Sequence, residues 1–333
     1  MSRRALLGLA GALVAPRLAS LAMAQSVRRA AVANGRRFLQ YDVFTDRPLT
    51  GNQLAVFFDT AGLTTEQMAA MTRETNFSEA TFVFPAERAG TDIRLRIFGR
   101  GGEMPFAGHP VIGSTFALAD DGVIRPGRQE FTFGLNIGPT LVELEWQDDR
   151  LAFAWMTQQR PAFGPAMPQP EAVVAALGVP PAALMPGLPV QEVNCGSAFY
   201  FVPLATRAAV DQAALDTRAM GAVFEKAGLT RRGVFIFSPE EASDGATVYS
   251  RMLGATAEDP ATGSASGPLG CYLVRHGLVP VARAGDIVSA QGVKMNRPSR
   301  VHIRIDATAP DAITRVRVGG ASVLVGEGRL RPS

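Results

Sequence analysis

The chain has 333 residues, of which 47% are hydrophobic and 19% are charged. This length and composition are typical of one large or two ordinary globular domains, and they exclude a disordered, fibrous or small disulfide-rich protein. The 33 basic and 30 acidic residues give a formal charge of +3, which alone would favour a nucleic-acid or membrane-surface partner.

The first 24 residues predict an export signal. Arg3 and Arg4 precede an apolar stretch at residues 5–15, and small residues follow up to an Ala-x-Ala sequence ending at Ala24. This order is typical of a secretory signal, and the paired arginines resemble a twin-arginine signal. Cleavage after Ala24 would leave 30 of the 33 basic residues against all 30 acidic ones. We therefore expect a neutral periplasmic or exported protein without nucleic-acid binding or stable membrane insertion, or a cytoplasmic protein if translation starts at Met23.

Beyond this segment, short strands alternate with helices. The patterning predicts strands at residues 39–44, 54–58, 80–84, 93–98, 198–203, 233–237 and 247–252, and several more up to residue 325. Helices are predicted at residues 64–74, which open with a Thr64-x-x-Gln67 capping box, and at 109–120, 213–227 and 264–276. The pattern indicates an α+β fold with mostly antiparallel strands.

A proline-rich stretch and an internal repeat divide the chain. Residues 160–189 contain eight prolines and predict a domain junction. Glu-Met-Pro-Phe-Ala-Gly at 103–108 matches Glu-Asp-Pro-Ala-Thr-Gly at 258–263, and a weaker echo relates 76–82 to 194–200. We predict duplicated domains at 37–158 and 159–315, with residues 316–331 available as a strand that completes the first.

Residue counts restrict the chemistry. Lys226 and Lys294 are the only lysines, so a pyridoxal-phosphate Schiff base has almost no candidate. The histidines and cysteines lack the spacing of metal ligands, so we expect no zinc site. Cys195 and Cys271 are expected to be buried free thiols rather than a disulfide.

In each copy of the repeat a glycine, Gly108 or Gly263, immediately precedes an apolar helix. The first-turn amides and the dipole of a helix form an anion site, and two such helix starts in one cleft would bind a small carboxylate and stabilise an enolate. Taken singly, each glycine is better explained as a simple helix cap, and only the pairing of the two motifs gives the anion site equal weight.

Glu79 is the candidate proton carrier. Phe77 and Phe82 flank it, and desolvation by these rings would raise its pKa toward the range useful for a general base. An ordinary surface glutamate is the alternative interpretation. His109 and Asp259 are the other titratable groups at the expected cleft.

Five ordered segments carry a family resemblance. They are Asp-Val-Phe at 42–44 with Gly-Asn-Gln-Leu-Ala-Val at 51–56, Asn-Phe-Ser-Glu-Ala-Thr-Phe-Val at 76–83, Phe-Ala-Gly-His-Pro at 106–110, Glu-Asp-Pro-Ala-Thr-Gly-Ser at 258–264, and Gln-Gly-Val at 291–293 with Arg-Pro-Ser at 297–299. In these segments the chain resembles the PhzF-like phenazine-biosynthesis isomerases, which have a diaminopimelate-epimerase-like fold. The resemblance implies two pseudo-symmetric domains, each a mostly antiparallel curled sheet around a central helix, with the active site between them, no cofactor and a homodimeric assembly.

The resemblance also implies residue roles. Glu79, His109 and Asp259 fall on catalytic positions, and the substrate-binding positions are Gly51, Asn52, Gly108, Gly263 and Ser264. The founding activity of the family isomerises a dihydro-hydroxyanthranilate by moving a proton between ring carbons. We therefore predict a cofactor-independent isomerase of a small carboxylate, with Glu79 as general base and acid.

Related epimerases use two cysteines, one per half, but the helix entrances here read Ala-Gly-His and Thr-Gly-Ser, which disfavours a two-thiol mechanism. Arg100 and the two glycines after it also depart from the family pattern. Two alternatives stay open. One is an amino-acid or hydroxy-acid epimerase in which Glu79 opposes His109 or Asp259, and the other is a non-catalytic small-ligand-binding protein.

Overall fold

A computed structural model describes residues 35–254 and 257–332. The predicted export signal at residues 1–24 lies outside these ranges, so export stays a prediction, as does the homodimer. Among the described helices, none is both long and apolar enough to span a membrane.

The described residues form eighteen strands and six α-helices. The first half contains β1 (Arg36–Val43), β2 (Asn52–Phe57), α1 (Thr65–Thr75), β3 (Glu79–Pro85), β4 (Ile93–Gly99), β5 (Gly102–Met104), α2 (Gly108–Asp120), β6 (Glu130–Leu135), β7 (Gly138–Gln147) and β8 (Arg150–Gln158). The second contains β9 (Ala162–Ala166), α3 (Pro170–Ala176), β10 (Gln191–Asn194), β11 (Ala198–Pro203), α4 (Arg207–Gln212), α5 (Thr217–Ala227), β12 (Gly233–Ser238), β13 (Val248–Leu253), β14 (Glu258–Asp259), α6 (Gly263–Arg275), β15 (Ile287–Gln291), β16 (Ser299–Ala307), β17 (Ile313–Gly320) and β18 (Ser322–Leu330). Short 3-10 helices lie at Pro181–Ala183, Val281–Arg283 and Val293–Met295.

Most predicted elements lie where expected. The capping box of α1 is present, with reciprocal hydrogen bonds between Thr64 and Gln67. The helix predicted over residues 213–227 is wrong at its start, because Asp216 caps α5 by accepting from the backbone N–H of Arg218 and Ala219. The strands β6–β9 and the helix α3 were not predicted.

The two halves of the sheet repeat one pairing order. β1 pairs antiparallel with β2, β2 parallel with β3, and β3 antiparallel with β4. The same sequence of pairings recurs from β10 to β13. β18 pairs antiparallel with β1, and β9 pairs in the same way with β10. The antiparallel pairing of β8 with β17 connects the two halves. The described strands form one 18-stranded, mostly antiparallel sheet whose two halves each surround a central helix, which agrees with the expected fold class. The exact domain boundaries stay a prediction.

This topology corrects the weaker sequence echo between residues 76–82 and 194–200. β3 holds the same place as β12, so Glu79 at the start of β3 corresponds to Gly233 at the start of β12. The stronger repeat, 103–108 with 258–263, does relate structurally equivalent segments. Met104 pairs with Ile97 in the first half, and Asp259 pairs with Met252 at the same place in the second. The halves therefore share a backbone plan but carry different side chains at the centre.

The central helices meet at their N-termini. Every residue of α2 from Gly108 to Leu118 is buried, as are nearly all residues of α6, which explains why both helices are apolar on all faces. A Cβ atom on Gly108 would lie 2.5 Å from the carbonyl carbon of Gly263. Glycine therefore allows the two helix starts to touch.

We predict that Gly108→Ala destabilises the protein. The added methyl group would overlap the backbone of Gly263, and overpacking of this kind costs about 1–3 kcal/mol of unfolding free energy. Urea titration of Gly108→Ala beside Gly285→Ala tests this, because a Cβ on Gly285 meets no atom within 4 Å. Equal stability of the two variants would contradict the packing argument.

Candidate active site

A cavity of about 510 Å³ opens where the two central helices begin. The first half contributes Ser78, Glu79 and residues 99–104 to its wall, and the second half contributes Phe199, Met252, Gly254, Ala257, Glu258, Asp259, Thr262 and Ser264. A pocket of this size accommodates a small organic molecule.

Glu79 projects into this cavity from the start of β3. Its Oε2 atom is buried and has no hydrogen-bond partner in the described residues, although 18% of the side chain is exposed. Burial raises its pKa to about 8, the negative charge of Asp259 acts in the same direction, and Arg100 opposes both. Glu79 is therefore mostly protonated near neutral pH.

His109 lies in the first turn of α2 with its Nε2 atom 3.4 Å from Oε2 of Glu79. Burial lowers the pKa of this imidazole to about 3, so the ring is uncharged near neutral pH. The contact therefore joins two neutral groups and is not an ion pair. Both atoms are buried, and neither has a hydrogen-bond partner in residues 35–254 and 257–332.

Asp259 is held by donors from three segments. Its carboxylate accepts from Asn52 Nδ2 at 2.7 Å, from Thr262 Oγ1 at 2.5 Å and from Ser78 Oγ at 3.3 Å. Burial raises the pKa of Asp259 to about 6, and these three hydrogen bonds limit the rise. Near neutral pH, Asp259 is thus mostly ionised, whereas Glu79 is mostly protonated.

Asn52 and Gln291 hold this arrangement from behind the cavity wall. Asn52 Nδ2 also donates to Ala261 O at 2.9 Å and lies 3.2 Å from Nδ1 of His109. The side chain of Gln291 is buried, accepts from the N–H of Thr262 and donates to the carbonyl of Asp259. Both side chains therefore fix the backbone that leads into α6.

Neither central helix has a side-chain cap. Ala107 precedes α2 and Thr262 precedes α6, and neither side chain accepts a hydrogen bond from a first-turn amide. The hydroxyl of Thr262 donates to Asp259 instead. The first-turn N–H groups and the positive ends of both helix dipoles can therefore interact with an anion.

Matching arginine–glutamate pairs close the hairpins on either side of the cavity. Arg96 binds both carboxylate oxygens of Glu103 at 2.9 and 2.5 Å, and Arg251 binds those of Glu258 at 2.9 and 2.7 Å. These pairs are related by the internal repeat and neutralise the two glutamates. Arg100 is the one cation among the described residues that line the cavity, and it donates to the backbone carbonyl of Asn76 at 2.9 Å and to no carboxylate.

The structure brings together most of the predicted site residues. Glu79, Asp259 and Ser264 line the cavity, and His109 and Asn52 contact the carboxyl groups from behind. Gly108 and Gly263 form the contact between the helix starts. Gly51 does not line the cavity; it occupies a turn with φ +67°, where a Cβ would lie 2.5 Å from Val43 O.

The sequence patterns missed several neighbours of these residues, namely Ser78, Thr262, Gln291, Arg96 and Arg251. The available sequence signal for Arg96 and Arg251 was their equal spacing from Glu103 and Glu258 in the two copies of the repeat. Within the described ranges, no three His, Cys, Asp or Glu side chains cluster to hold a metal ion. Cys195 and Cys271 are buried free thiols 3.9 Å apart, away from the helix entrances.

Comparison with known proteins identifies the family of this chain. A family model described as phenazine biosynthesis-like protein matches residues 41–328. A relative from Pseudomonas aeruginosa, named trans-2,3-dihydro-3-hydroxyanthranilate isomerase, is 33% identical over 88% of this chain and 98% of its own length.

Solved structures give the same result. A predicted epimerase from Pseudomonas aeruginosa is 32% identical, with a TM-score of 0.74 over 90% of this chain and all of its own. A PhzF-family phenazine biosynthesis protein from Bacillus anthracis has a TM-score of 0.77 at 23% identity, covering 89% of this chain and 99% of that one. The chain belongs to the phenazine biosynthesis-like (PhzF) family, and the predicted fold class and isomerase activity are confirmed.

We predict that Glu79→Gln stabilises the protein increasingly as the pH rises. The pKa of Glu79 is raised from 4.5 to about 8 on folding, so between these values the unfolded chain gains an ionised carboxylate that the folded chain disfavours. The stability advantage of Glu79→Gln should be small near pH 4, grow through this window and level off above about pH 8, reaching a few kcal/mol.

Urea unfolding across this pH range measures the effect, with Glu225→Gln on the exposed face of α5 as the matched control. A difference between wild type and Glu79→Gln that does not change with pH would show that Glu79 has an ordinary pKa in the folded protein.

Proposed function

We propose that this PhzF-family isomerase moves a proton between two carbon atoms of a small carboxylate without a cofactor, and that Glu79 is first the base and then the acid. The substrate would resemble the dihydro-hydroxyanthranilate named for the Pseudomonas aeruginosa relative. The observation that carries the proposal is the buried Glu79 Oε2 atom, which lacks a hydrogen-bond partner in the described residues and lies beside two uncapped helix starts.

The helix starts would bind the carboxylate of the substrate. Backbone N–H groups at Gly108, His109, Gly263 and Ser264 lie in first turns that no side chain caps. Their fixed dipoles also stabilise the negative charge that develops on the substrate when a carbon-bound proton leaves. This lowers the barrier for removing a proton from a carbon atom next to a conjugated acceptor group.

Glu79 would carry the proton. Its ionised form takes a proton from one carbon, which converts it to the neutral acid that burial favours. The same acid then donates that proton to a second carbon within reach, so no net charge enters or leaves the cavity. Asp259 contributes by its negative charge, which makes Glu79 a stronger base.

The asymmetry of the halves favours a positional shift over epimerisation. Inversion at one carbon requires an acid and a base on opposite faces, as a symmetric pair of residues would provide. Here the position equivalent to Glu79 is Gly233, and the position equivalent to Asp259 is Met104. The second half therefore has no counterpart of Glu79, which supports a single group that removes and returns the proton.

We predict that Glu79→Gln retains ligand binding and loses proton exchange. Small carboxylates, beginning with a dihydro-hydroxyanthranilate, are incubated in deuterium oxide and exchange of carbon-bound protons is followed by NMR. Loss of the general base should lower the rate by roughly 10²- to 10⁴-fold, whereas Glu225→Gln should match wild type. Full exchange in Glu79→Gln would remove this residue from the role, and deuterium appearing with inversion at one carbon would indicate an epimerase.

We also predict that removing each of the two charges near Glu79 moves the midpoint of the kcat/KM pH profile, in opposite directions. Because the ionised carboxylate is the base, kcat/KM should rise with pH to half its maximum near the Glu79 pKa of about 8. Asp259→Asn removes a negative charge and should move this midpoint to lower pH, and Arg100→Gln removes a positive charge and should move it to higher pH. Shifts in the same direction would contradict the electrostatic assignment.

A further inference from the structure

A second cavity of about 400 Å³ lies on another face of the molecule. It is enclosed by the loop between β1 and β2, by Phe153 of β8 and by the start of β16. None of the described residues lines both this cavity and the one that contains Glu79. Its wall combines two arginines with aromatic rings, a composition typical of sites for small organic anions.

Arg47 and Arg300 supply positive charge to this second cavity. Arg300 donates to the backbone carbonyl of Asp244 at 2.9 Å, while the carboxylate of Asp244 pairs with Arg207. Neither Arg47 nor Arg300 forms a salt bridge within the described part of the chain. Among the described residues, Asp46 is the one carboxylate that lines the cavity, so the two guanidinium groups exceed the negative charge of its wall.

Aromatic rings form the apolar part of the wall. Phe44 is fully buried, and the rings of Phe153 and His302 meet edge to face with centroids 5.2 Å apart. Burial lowers the pKa of His302 and Arg300 acts in the same direction, so this imidazole is an uncharged ring near neutral pH. The cavity wall therefore combines uncharged aromatic rings with two guanidinium groups.

We propose that this cavity is a second ligand site that binds a small aromatic carboxylate. A carboxylate matches the fork geometry of the guanidinium groups of Arg47 and Arg300, neither of which is paired with a carboxylate in the described part of the chain. A planar ring attached to it would pack against Phe153 and His302.

Phe44 separates the proposed site from the catalytic cavity. Its φ of +63° is a rare conformation for a bulky residue, and its ring reaches the start of α6, where a Cβ on Gly263 would lie 2.8 Å from Cζ. Its carbonyl also accepts from the N–H of Arg300. Phe44 therefore connects the wall of the second cavity to the helix start at Gly263.

Benzoate is the probe for this site. Isothermal titration of the full chain near neutral pH should give saturable binding that Arg47→Gln/Arg300→Gln weakens at least about tenfold. Arg218→Gln, on the exposed surface of α5, should bind as wild type does. Acetate at the same ionic strength should bind at least about tenfold more weakly than benzoate, because it lacks the ring.

Absence of benzoate binding, equal affinity in the double variant, or equal affinity for acetate would each overturn the proposal. A second measurement does not depend on the folding of the double variant. In Trp146→Phe the remaining tryptophan is Trp155, whose ring centroid lies 6.4 Å from that of His302. Bound 4-nitrobenzoate should quench its fluorescence, and bound ligand without quenching would place it elsewhere.

Discussion

The structure depends on the contact between two helix N-termini at Gly108 and Gly263. Each α-helix carries about half a positive charge at this end, so bringing two such ends together is electrostatically unfavourable without an anion. Neither start carries a side-chain cap that would offset this. The carboxylate of Asp259 lies beside the start of α6, and a substrate carboxylate would supply further negative charge. The same contact that completes the core therefore creates the affinity of the cavity for anions.

Duplication provides the backbone of the site, and divergence provides its chemistry. The arginine–glutamate pairs, the short hairpin strands and the helix starts are alike in both halves. The reactive side chains differ at each equivalent place, with Glu79 opposed to Gly233 and Met104 opposed to Asp259. A symmetric scaffold thus holds one protonated carboxyl group and one ionised carboxyl group near neutral pH, and not two identical groups.

The sequence predicted the structural features that depend on residues close together in the chain. The capping box of α1, the apolar central helices and the motif repeat are encoded in short segments, and they lie where the patterns indicated. Features that depend on distant pairing were missed or misplaced. The echo of residues 76–82 was assigned to the wrong strand because strand equivalence is fixed by β-sheet partners, not by a few identities. Two of the three donors to Asp259, Asn52 and Ser78, come from distant segments, which no local pattern connects to Asp259.

These donors decide which carboxyl group keeps its proton. Two buried carboxyl groups in one cavity raise each other's pKa, and the group with more hydrogen-bond donors stays ionised at lower pH. Asp259 has three donors, whereas Oε2 of Glu79 has none in the described residues. The proton therefore resides on Glu79, and the hydroxyl and amide groups around Asp259 set the strength of the proposed base without touching it. Asn52 illustrates this: it does not line the cavity, yet its amide donates to Asp259 and thereby holds the negative charge beside Glu79.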